Sequence, residues 1–168
     1  MSEHIQAHMH EVVRKFLDGG FDGTKWHYTM PDEYSFEGIV SGLSSRISEV
    51  RYFIAICEDV VIAHHIAPLK VSKGRRPAVS EFITRANYNL IRGRFEMDFD
   101  DGELRYTLPL SQYDLSADDE AVFLNLLRLM MIGANMWERY GDNLAALMMG
   151  FADDQNIAGL VQQCEEKE

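Results

Sequence analysis

Hydrophobic positions along the chain change period several times, and each change marks an element. Ile5, Met9, Val12, Val13, Phe16 and Leu17 recur at i, i+4, i+7, i+8, i+11 and i+12, one face of an amphipathic helix. Gly19 and Gly20 are expected to end it. Residues 21–35 mix Gly, Pro and polar residues in neither period and read as a long loop. "SFEGIVSG" reads as a short strand. Residues 48–71, "SEVRYFIAICEDVVIAHHIAPLKV", are rich in β-branched and aromatic residues and broken only at Glu58-Asp59, which predicts a hairpin of two long strands. One face carries Val50, Tyr52, Ile54 and Ile56; the other carries Phe53, Ala55 and Cys57, with Cys57 placed mid-strand. A strand apolar on both sides is normally covered on both sides.

A second helix follows, with Pro77 suited to its first turn and Val79, Phe82, Ile83, Ala86 and Leu90 spaced as its buried face. From Phe95 the alternation is strict: Phe95, Met97 and Phe99 point one way, while Glu96, Asp98 and Asp100 form the wet side of a strand. Asp101-Gly102 predicts a two-residue hairpin turn, which would set Phe99 opposite Leu104, Met97 opposite Tyr106, Phe95 opposite Leu108 and Asp98 opposite Arg105. Ser116 and Asp119 form a capping pair for a last helix over residues 117–149, with a break expected at Gly141-Asp142-Asn143, where Asp142 would cap a shorter second segment. The tail, residues 151–168, is expected to fray in part. The fold class is therefore α+β, a single domain over 1–168 in the order α-β-β-β-α-β-β-α, with an antiparallel sheet packed by helices.

Charge narrows the function. The 27 acidic and 16 basic residues give −11 at pH 7, which repels phosphate backbones and anionic lipid, so neither nucleic acid nor a membrane is the expected partner. The start "MSEHIQAHMHEVV" has no uninterrupted apolar core, and two cysteines far apart suit a reducing cytoplasm, the expected location.

Candidate chemistry is sparse. His4, His8 and Glu11 fall at i, i+4 and i+7, a spacing that presents three metal ligands on one helix face; a solvated face is the plainer reading. His64 and His65 alternate across a strand and cannot chelate together. One of them can serve as a satisfied core histidine. Lys70, Lys73, Arg75 and Arg76 form a basic turn, read as a solvated loop rather than a phosphate site. The acids at 96–103 lack the calcium-loop spacing, and no glycine-rich phosphate loop or nucleophile elbow is present. No catalytic set and no cofactor is expected.

Residues 85–110, "RANYNLIRGRFEMDFDDGELRYTLPL", followed by a long apolar helix ending near "LMMG", resemble the YbjN family of bacterial sensory transduction regulators. Asn87 and Asn89, Gly93, Asp101-Gly102 and Tyr106 carry the resemblance, and the order of elements is compatible from about residue 35 to 150. It implies a fold similar to type III secretion chaperones, often paired as homodimers, and brings no active site with it. The expectation is a non-enzymatic, chaperone-like or regulatory module that binds another protein; the alternative is a metal-binding sensor or enzyme using the N-terminal histidine face.

One surface stands out for that role. With Arg128 at the centre of the wet side of the last helix, Phe123, Leu126, Met130 and Trp137 lie opposite as core. Leu124, Met131 and Ile132 nonetheless fall on the wet side. Three such residues along two turns predict a homodimer or partner contact, unless a neighbouring loop or the N-terminal helix covers them.

Overall fold

Met9, Val13, Phe16 and Leu17 are buried along one side of the first helix, so its apolar stripe decides how it lies on the rest of the chain. In the computed structural model, which describes residues 2–88 and 90–166, the elements are α1 (Ser2–Leu17), β1 (Ser35–Ser41), β2 (Glu49–Ile56), β3 (Val60–Ile66), α2 (Arg76–Asn87), β4 (Arg94–Met97), β5 (Leu104–Ser111), α3 (Asp119–Met149) and α4 (Ile157–Glu165). Short 3-10 turns precede α2 at Lys73–Arg75 and α3 at Gln112–Leu115. Among the described residues this is an α+β domain with four α-helices and one five-stranded antiparallel sheet, ordered β1-β2-β3-β5-β4.

The helices lie on one face of the sheet. Val50, Tyr52, Ile54, Ala63, His65, Tyr106 and Phe95 point towards them and are buried. Phe95 sits in a cluster with Tyr106, Trp137 and Tyr140, at centroid distances of 4.9, 5.5 and 5.6 Å, which ties β4 and β5 to α3. The other face carries Ile39, Arg51, Phe53, Ile62, His64 and Arg105, exposed or half-buried, with Ile66 and Thr107 buried among them, and no helix covers it among the described residues. The expected cover on both sides is therefore corrected. Phe53 stacks on His64 at 6.4 Å, and the Glu96 carboxylate pairs with Arg94 and Arg105 on the same face, so side chains of the sheet itself occupy it.

Two further expectations change. Helix α3 is continuous for 31 residues, about 46 Å, without a break at Gly141-Asp142-Asn143. Gly141 is buried facing the loop before β2, 3.0 Å from the Ser44 hydroxyl at the position a Cβ would take. Asp142 accepts from the Arg46 N–H at 2.7 Å and from the Ser45 hydroxyl, so its carboxylate holds that loop instead of capping a new helix. The cap of α3 is Asp118, which accepts from the Ala121 N–H, while Ser111 and Asp114 form a reciprocal capping box on the preceding turn. The tail carries α4, whose Ile157, Val161 and Cys164 are buried, and residues 167–168 lie outside the described residues.

The β4–β5 register is displaced by two residues. Phe95 stands opposite Tyr106, Met97 opposite Leu104 and Glu96 opposite Arg105. A two-residue turn would demand positive φ at Asp101, but no described non-glycine residue has one; Gly102 alone takes it, at 82°. The loop instead closes by Asp98 N–H to Glu103 O and Gly102 N–H to Asp98 O, each 2.9 Å. Phe99, expected inside, sits in this loop and is exposed. A two-residue displacement preserves the faces, which is why Phe95 is still buried.

Candidate functional site

The two halves of α3 have different surroundings. In the C-terminal half, the polar side is occupied: Arg139 donates to Cys164 O at 2.8 Å, Asn143 to Leu160 O at 3.0 Å, and Asp142 holds the 44–46 loop. In the N-terminal half, Leu124 and Met131 stand 38% and 44% exposed on either side of Arg128. Ile132 is half-buried and turns towards a groove of about 370 Å³ between α3, β5 and the connection from α2 to β4.

That connection is held from both ends. The Asn87 side chain donates to Phe95 O at 2.9 Å and accepts from Phe95 N–H at 2.8 Å, so an amide occupies the outer edge of β4 as a neighbouring strand would. Asn89, the second asparagine of the resemblance, lies outside the described residues. The Tyr106 hydroxyl donates to Arg92 O, and Gly93, at φ 68°, passes so close to β5 that a Cβ would meet Thr107 O at 2.7 Å. Pinned there, the chain leaves Tyr88 and Ile91 exposed at 88% and 97%.

The floor of the groove is the part of β5 that extends past β4. Pro109 has no N–H, and the Ser111 N–H is taken by the Asp114 carboxylate at 2.9 Å, so this edge cannot extend the sheet. Asn125 donates to Asp114 O at 3.0 Å. Arg92 and Arg128 line the groove, and neither forms an ion pair among the described residues.

A second polar cluster lies on the open face of the sheet. Thr107 donates its hydroxyl to Glu96 at 2.8 Å, so it must accept from His64 Nδ1–H at 2.9 Å. Burial, followed by the charge of Arg105, brings the His64 pKa down to about 4. For Glu96, partial burial raises the pKa, but hydrogen bonds from Thr107 and Arg105 and the charges of Arg94 and Arg105 outweigh it and hold the carboxylate below its ordinary range. A relay that activates a hydroxyl places the histidine between hydroxyl and acid. Here the hydroxyl lies between histidine and acid, and the acid is a weak base.

His65 points the other way and is fully buried. Among the described residues neither of its ring nitrogens makes a hydrogen bond of ordinary geometry, so His65 is a core histidine but not a satisfied one. Burial brings its pKa down to about 4, against a smaller pull from the Met130 carbonyl.

The other sequence candidates scatter. His4, His8 and Glu11 are exposed on α1, and among the described residues no three His, Cys, Asp or Glu side chains are placed to hold a metal. Cys57 is exposed just past β2 rather than mid-strand. In the basic turn, Lys70 pairs with Asp101, Arg75 with Asp154 at 3.4 Å, and Arg76 donates to the carbonyls of Val71 and Phe99. The acids at 96–103 do more than solvate a strand: Asp98 and Asp101 accept from backbone N–H groups that shape the loop. Ile91 and Arg92 escaped the sequence reading because they belong to no periodic segment.

No protein-family model, curated protein or solved structure matches the chain.

Proposed function

We propose that the chain is a non-enzymatic protein-binding module of the YbjN-like type, chaperone-like or regulatory, working in the cytoplasm as a homodimer that also engages another protein. The likeness to type III secretion chaperones enters on the same footing, through the order α-β-β-β-α-β-β-α, here followed by α4. The supporting observation is the exposed apolar pair Leu124 and Met131 on α3, with Ile132 and the exposed Ile91 lining the groove beside them. Isolated exposed apolar residues are ordinary, whereas several placed along one helix and its neighbouring connection suit a contact surface. Met131 adds a side chain that adapts to different partners.

Met131→Glu with Ile132→Lys tests the reading. The double variant is expected to keep the wild-type circular dichroism spectrum while losing dimer mass in light scattering or its partner in pull-down. Survival of both, or unfolding of the variant, would sink the interface.

A further inference from the structure

We infer that the groove between α3 and the 90–93 connection takes an acidic amphipathic helix of a partner protein, with aliphatic side chains on Ile91 and Ile132 and carboxylates on Arg92 and Arg128. The inference rests on the protein-binding reading and supplies the partner's chemistry.

On a chain of net charge −11, a cation is surrounded by acids that can neutralise it. Arg14, Arg51, Arg75, Arg85, Arg94 and Arg105 all have carboxylate partners within the fold. Among the described residues Arg46, Arg76, Arg92, Arg128 and Arg139 have none; Arg76 and Arg139 donate to backbone carbonyls and Arg46 lies on the loop before β2, whereas Arg92 and Arg128 line the same groove. The acid that also lines it, Asp114, is engaged by the Ser111 N–H and hydroxyl at 2.9 and 2.6 Å. Two guanidinium groups beside apolar walls are complementary to a ligand that alternates carboxylates with aliphatic side chains. Backbone pairing cannot hold that ligand, because Pro109 and the capped Ser111 N–H close the edge of β5. Recognition therefore falls to side chains, as when a helix lies in a groove with anchors at i, i+3 and i+4. Long-range repulsion between two acidic proteins does not forbid this, since charges are screened beyond about 8 Å at physiological ionic strength and contact charges then decide.

The test is selection of a phage-displayed random peptide library, about 15 residues long or some four helical turns, against the folded full chain. Recovered peptides should combine Asp or Glu with Leu, Ile or Phe at helical spacing, and a synthetic copy should bind at least tenfold more weakly to Arg92→Glu with Arg128→Glu, or to the milder glutamine pair. Recovery of neutral or basic peptides, undiminished binding to either pair, or binding only to phosphatidylserine vesicles would overturn the proposal. If the library yields nothing while Met131→Glu with Ile132→Lys still dissolves the dimer, the acidic partner falls and the protein-binding reading stands; if neither experiment responds, both fall.

Discussion

His64 and His65 are adjacent in sequence and live in different solvents. His65 faces the helices, fully buried against Gly133, and among the described residues no hydrogen bond of ordinary geometry reaches its ring. His64 faces the open side, half-buried, with Thr107 and then Glu96 and two arginines behind it. Both are held uncharged to about pH 4, one by exclusion of water from the core and one by partial burial beside cations. The same downward shift thus arises from packing on one face and from a polar network on the other. The inner face should accordingly be intolerant of volume and the outer face tolerant of it.

The sharpest way to break this comparison is Gly133→Ala. A Cβ there would stand 2.1 Å from Nδ1 of the fully buried His65 ring, so a loss of about 3 kcal/mol is expected in urea unfolding. Adding His65→Ala should restore part of that loss; a double variant no better than the single one would mean that the two residues do not share the space.

Acid comes next. As pH falls through about 6.5, the unfolded chain takes up protons on both histidines while the folded chain does not until about pH 4. Stability is therefore intact above 6.5 and declines between 6.5 and 4, by up to about 3 kcal/mol for His65. Urea midpoints measured across that window should fall less steeply for His65→Leu than for the wild type, and equal slopes would contradict the assignment.

Smaller effects belong to the open face. Glu96→Gln removes the charge that two arginines face and weakens the Thr107 bond, for an expected loss of about 1 kcal/mol. Ile39→Thr, at a site 60% exposed at the sheet edge, should change stability by no more than about 0.5 kcal/mol. A loss above 2 kcal/mol from Ile39→Thr in thermal melts would show that something covers this face in solution.

Periodic segments were legible in the sequence because burial follows period. The α1 stripe, both hairpins, the α2 face and the alternation of His64 with His65 all belong to this class. What escaped was long-range pairing of polar groups. Asp142 looked like a helix cap and holds a loop 96 residues away; Asp98 and Asp101 looked like wet-side carboxylates and build a turn. Single-sided cover of the sheet was equally hidden, since the spacing of Phe53 and Ala55 is the same whether or not a layer lies over them. Of the candidate surface, Leu124, Met131 and Ile132 could be placed from helical spacing, but Ile91 and Arg92 owe their position to Gly93 and the Tyr106 hydroxyl, contacts without a local signature.

The seam between β3 and β5 has a consequence in time. Each hairpin, β2–β3 and β4–β5, closes over a short loop, but Val60 to Ser111 and Ile66 to Arg105 join residues about 40 to 50 positions apart, with α2 lying between them in the chain. Closing that distance costs chain entropy before any contact repays it, so joining the two hairpins is expected to set the speed of refolding. Ala63→Gly or Leu108→Ala, within the seam, should slow refolding in stopped-flow measurements. Val161→Ala in α4 should leave the refolding rate nearly unchanged and appear as faster unfolding.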